Sequence, residues 1–190
     1  MFDIPKATHV AAYILWKNDG RMTQAKLLLL MYLAEKQFLL RYGERLTGDS
    51  LVSTESGPGL SSTYACFCSY NKYSNQWITK PNPHDLALNP SVEVRREDPL
   101  DTFDELSVAD QGILDSVYES CGTVPLRELK EMLIHPVYCP EWTRSDEPSS
   151  PINIADLLRK NGITQEQTDA TLKKLMESED FLTATKDLQT

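Results

Sequence analysis

The apolar positions are densest near the amino end. From Leu27 to Ala34 the only polar group on a side chain is the Tyr32 hydroxyl, and Phe38, Leu39 and Leu40 follow. A helix apolar on every side is a buried helix, so the segment of about 23–42 is expected to run through the middle of the fold. Thr23 is placed to cap its start through the side-chain oxygen, and Gly43 to close its end in the left-handed conformation. The run is too short for a bilayer, which needs about 20 predominantly apolar residues, and Glu35, Lys36 and Gln37 interrupt it. Upstream, Val10, Ala11, Ile14 and Leu15 recur at helical spacing, and Asn18-Asp19-Gly20 signals a turn. The two segments are therefore expected to pair as antiparallel helices.

After Gly43 the helical period is lost. Thr47-Gly48-Asp49 suits a tight turn, Leu51, Val52 and Thr54 a short strand, and Ser56-Gly57-Pro58-Gly59 a break before a helix capped by Ser61 or Ser62. Leu86 with Leu88, and Val92 with Val94, alternate as two brief strands that would pair with the strand at 51–54. Helical patterning returns with a capping box at Ser107 and Asp110, and again at Thr123, where Pro125 falls in the first turn of a helix that Pro136 ends. Trp142 is expected to pin the proline-rich loop 135–151. Ile154, Leu157 and Leu158 mark one short helix, and Thr164 with Gln167 opens a final amphipathic one ending in a frayed polar tail. The expectation is a mainly α fold of the α+β kind, built around the central helix, with a small β hairpin or sheet from 47–56 and 77–96. One domain covers 1–165, and 166–190 is a C-terminal helix and tail, either part of it or loosely attached.

Charge narrows the partners. The 190 residues carry a net charge of −9, and the sign is unevenly spread. Residues 1–46 hold seven Lys/Arg against four Asp/Glu, whereas 103–190 hold eight against seventeen. Such a chain repels phosphate backbones without a local basic patch, and none is visible. Direct nucleic-acid binding and membrane insertion are therefore not expected, and a basic protein partner is favoured over either. The first residues lack a basic segment followed by an apolar stretch, so a cytoplasmic protein is expected.

The chemistry-bearing residues are sparse. Three histidines, at 9, 84 and 135, fall in three different segments, and no nucleophile elbow, phosphate-cradling loop or HExxH stands in the chain. No catalytic residue and no cofactor are expected, and the protein is read as a non-enzyme. Cys66, Cys68, His135 and Cys139 are zinc-type ligands, but a single residue between the first two is too few for an ordinary knuckle. Inert core thiols are the favoured reading, so no metal is expected. Tyr70, Tyr73 and Trp77 suit a protein interface, where such rings are enriched, or a hydrophobic edge. Gly57, Pro58, Gly59 and Tyr64 are the other candidate partner-binding residues; the glycines equally suit a plain tight bend.

The run Lys26 to Ala34, the Arg41-Tyr42-Gly43 exit, Leu46-Thr47-Gly48-Asp49, and Gly57-Pro58 with Leu60, Ser61 and Tyr64 resemble the Panacea, or SocA-like, antitoxin family. His135, Pro140-Glu141-Trp142 and Ile152 to Gly162 extend the resemblance over most of 8–165. Gly59 departs from the valine that commonly follows the Gly-Pro pair, and 66–82 differs from the usual sequence. The resemblance implies a mostly α-helical protein that neutralises a cognate protein toxin by direct binding. It also implies an alternative, in which a phage- or mobile-element-associated protein acts against a host defence or delivers the toxin to a cellular protease. It brings no catalytic residues.

Overall fold

The computed structural model of the protein describes residues 1–69, 76–145 and 147–187. Asp3 caps α1 (Ile4–Lys17) by accepting the Lys6 N–H at 2.9 Å. A turn at 18–20 leads into a three-residue strand, β1 (Arg21–Thr23), and then directly into α2 (Gln24–Tyr42). Both ends of α2 are closed as expected. The Thr23 side chain accepts the Lys26 N–H, and Gly43, at φ +63°, donates its N–H to the Leu39 carbonyl.

The chain then forms a hairpin, β2 (Leu51–Thr54) and β3 (Gly57–Leu60), and continues into α3 (Ser61–Ser69). β4 (Ile78–Asn82) and β5 (Asp85–Leu88) make a second hairpin. Beyond it come α4 (Val108–Val117), which unwinds into a π turn at Tyr118–Gly122, and α5 (Leu126–Leu133). A two-residue strand β6 (Ser150–Pro151), α6 (Ile154–Lys160) and α7 (Gln165–Asp187) complete the described chain. The fold is mainly α with a small β part, as the sequence implied.

Two three-stranded antiparallel sheets flank the helices, in the orders β1-β5-β4 and β3-β2-β6. Their pairing differs from the sequence reading. The 85–88 strand joins β4 and β1 rather than the strand at 51–54, and no strand forms at Val92–Val94. Gly57-Pro58-Gly59 does not break the hairpin but is its second strand, with the turn at Glu55-Ser56. Proline is admissible because β3 is an edge strand and Pro58 faces Ser53 at a position that need not donate to the ladder. Thr123 is not a cap either: α5 starts from Pro125 without a side-chain cap.

α2 is packed by α1, α4, α5 and β3. Leu27, Leu30, Met31, Tyr32, Ala34 and Leu39 are fully or almost fully buried, within a core that also takes in Tyr13, Leu15, Phe103 and Leu114. Two of the polar residues of the run are buried too, and Gln37 is half-buried. Glu35 and Lys36 lie inside, whereas Leu28, Leu29, Leu33 and Leu40 are only half-buried. α2 is thus not covered on every side. No helix among the described residues is long and apolar enough to cross a membrane.

Three of the buried carboxylates among the described residues tie loops to the helices. Glu35 accepts from the Leu46 and Thr47 N–H groups and the Thr47 hydroxyl at 2.7–3.0 Å, fixing the segment after α2. Asp49 accepts the N–H groups of Ser50, Ser62 and Thr63, so it caps α3 from across the hairpin. Glu141 joins α2 to the 135–142 loop and α6: it receives Tyr32 Oη at 2.6 Å, Lys36 Nζ at 2.8 Å, Cys139 Sγ at 3.0 Å and Asn161 Nδ2 at 3.1 Å.

Trp142 pins its loop as expected, its Nε1–H donating to the Thr54 carbonyl at 3.1 Å. The Thr164 and Gln167 capping box opens α7, which extends to Asp187, past the point where fraying was expected. Leu175 packs against the core, Lys174 pairs with Glu44 at 2.6 Å, and Met176 is exposed.

Candidate functional site

A groove of about 550 Å³ opens where the half-buried side of α2 meets the β2–β3 hairpin. Leu28 and Leu29 form one wall. Val52, Gly57, Pro58 and Gly59 form the floor, Tyr64 of α3 stands at one side and Lys130 of α5 at the rim. The apolar character follows from the chain. Four consecutive leucines, 27–30, span more than a full helical turn, so Leu27 and Leu30 enter the core while Leu28 and Leu29 are left to face the hairpin. On β2, Leu51 points into the core and Val52 to the opposite face, as strand alternation requires.

The two glycines of β3 differ in their reason. Gly57 has φ +136°, which only glycine adopts without strain. Gly59 has no such backbone demand, and a Cβ there would meet only Val52 Cγ2, at 3.9 Å. Both leave the floor without side chains. Tyr64 is 58% exposed although large and aromatic. Beyond Ser56 the surface continues to Leu126 and the 41% exposed Ile134, which lies beside Gly57. Among the described residues, Lys130 is the one charged residue lining the groove, and its Nζ has no ion-pair partner there.

The structure therefore brings together Gly57, Pro58, Gly59 and Tyr64. Trp77 is elsewhere, half-buried 4.1 Å from the His9 ring and 5.7 Å from Phe103, in a cluster that includes Tyr13 and Trp16. Tyr70 and Tyr73 lie outside the described residues. Leu28, Leu29, Val52 and Lys130 were missed as lining residues. The signal available for the leucines was the excess of apolar positions over what one buried face can hold.

Several titratable groups serve the scaffold. Burial, with Glu141 beside it, pushes the Cys139 thiol up to about 12, so it carries no thiolate near neutrality. Lys36, Tyr32 and Cys139 all donate to Glu141 and hold its carboxyl below the usual range despite burial. Burial lowers His9, whose Nδ1 accepts the Glu105 N–H at 3.3 Å. His135 Nδ1 accepts the Val137 N–H at 3.2 Å. Cys66 is buried in α3, and among the described residues no group of three or more His, Cys, Asp or Glu could hold a metal ion.

The structure is thus a mainly α scaffold tied together by buried carboxylates, with an apolar groove beside a hairpin. The family model for "Antitoxin SocA-like, Panacea domain" matches residues 27–137, from the start of the α2 core to just beyond α5. The chain belongs to that family. The comparisons with curated proteins and with solved structures gave no match.

Proposed function

We propose that this protein is the antitoxin of a toxin–antitoxin pair, that it neutralises a protein toxin by direct, non-catalytic binding, and that the toxin docks at the β2–β3 groove. Membership of the antitoxin family supports the role, and the groove is the observation that carries the mode of action. Recognition of a protein surface needs a desolvated apolar centre with a polar rim on a rigid support. Leu28, Leu29, Val52 and Tyr64 supply the centre, and Lys130 with the hydroxyls of Thr54, Ser56 and Ser61 the rim. Glu35 and Asp49 make the support rigid by fixing both ends of the segment that carries the hairpin.

Co-expression with a candidate toxin taken from a neighbouring gene tests the reading. The expected result is restored growth and a complex that co-purifies. A toxin that stays lethal and does not co-purify overturns it. Simple sequestration further predicts that the toxin's half-life is unchanged or longer in the presence of this protein; a shortened half-life would instead indicate delivery to a protease.

A further inference from the structure

We infer that Gly59 is a specificity position: by leaving the groove floor bare it opens a subsite for one large apolar side chain of the toxin, on a segment that also carries a carboxylate for Lys130. The inference rests on the binding function proposed above and names what the groove takes. Three observations carry it. First, glycine inside a strand forgoes packing and loses more backbone freedom on folding than alanine does, so its presence calls for a reason. The backbone supplies none at Gly59, whose φ lies outside the left-handed region, unlike that of Gly57. The interior supplies none either, since an added Cβ would make only ordinary van der Waals contact with Val52. The remaining physical role of an unforced strand glycine is to let another group come close.

Second, the space left by Gly59 is apolar. It is paired across the hairpin with Val52, which stands outside the core cluster, and Leu28, Leu29 and Tyr64 face the same recess. A polar side chain entering it would lose hydration for little return, whereas a Leu, Met, Phe or Trp would gain from burial. Third, Lys130 is the charged side chain among the described residues that line the groove, and none of the described residues neutralises it. A carboxylate near the inserted side chain complements it locally, whatever the net charge of the toxin as a whole.

The test uses the full-length protein, the co-purifying toxin, and immobilised peptides tiling that toxin. Gly59→Val fills the floor with a residue that suits a strand, so the variant is expected to melt at the same temperature as the parent or above it. It is expected to bind the toxin at least about 10-fold more weakly, the scale of displacing one buried apolar side chain. The peptides that the parent retains are expected to share a large apolar residue close to an Asp or Glu. Lys130→Glu is expected to weaken binding by about 10-fold, and changing that acidic residue of the toxin to lysine to restore it. If the parent holds the toxin and Gly59→Val holds it equally well, the subsite is overturned while the binding function stands. If the parent does not hold the toxin, both fall.

Discussion

Glu141 has a fully buried side chain that receives four donors, from Tyr32, Lys36, Cys139 and Asn161, and Lys36 has only 7% of its side chain exposed. Taking one partner of a buried ion pair away leaves the other uncompensated, at a cost of about 3–5 kcal/mol. Glu141→Leu is therefore expected to lower the urea midpoint sharply, and Lys36→Met combined with it to recover part of the loss. A double variant as unstable as the sum of the two single ones would show that the pair is not coupled. His9 provides the pH-sensitive residue. Burial against Trp77 and Phe103 holds its pKa below 6.5, with Asp104 and Asp3 pulling upward. The unfolded chain thus binds a proton first as pH falls below 6.5, and the stability contributed by neutral His9 is present above that pH and lost below it. Chemical denaturation between about pH 7.5 and 5.5 should show this slope in the parent and less of it in His9→Asn.

The helices differ from the strands in how much of them could be read in advance. α2 and α4 announce themselves through local chemistry: Thr23 and Gly43 bracket one, and the reciprocal Ser107 and Asp110 bonds open the other. Ser107→Ala should cost about 1 kcal/mol in denaturant unfolding, the usual worth of such a cap. Asp49 is a larger case, because it caps α3 from outside the helix by accepting the Ser62 and Thr63 N–H groups, and it also accepts that of Ser50. Asp49→Ala should cost about 2–4 kcal/mol, a loss that Ser107→Ala should not match. The strands were harder because pairing is set by partners far along the chain. β1 is three residues long and exists through its register with β5, and β6 through its two pairs with β2. Gly57-Pro58-Gly59 was legible as a special stretch, but its residue types signal a break; only the edge position makes a strand of them. The groove was half legible for the same reason. Its floor stands in one stretch of sequence, whereas Leu28, Leu29 and Lys130 arrive from helices that only the tertiary packing brings alongside.

For the whole molecule, an oily α2 is clamped at Glu35, Lys36 and Tyr32 by bonds to two loops, and one side of it is left uncovered beside a hairpin. In the binding mode proposed above, a rigid support beside an open apolar recess means that affinity does not have to cover the ordering of loops. The net charge of −9 adds a long-range term that speeds the approach of a basic partner and is screened by salt. The association rate of a basic toxin should therefore fall as salt is raised, while Gly59→Val should act mainly on the dissociation rate. The most direct measurement is a titration of purified toxin with this protein, following the toxin's activity against the molar ratio. Activity is expected to fall to zero at a fixed stoichiometric ratio, with a complex isolable at that ratio. Undiminished activity in excess of this protein, or loss of activity at catalytic amounts with the toxin chemically altered, would contradict the proposed binding.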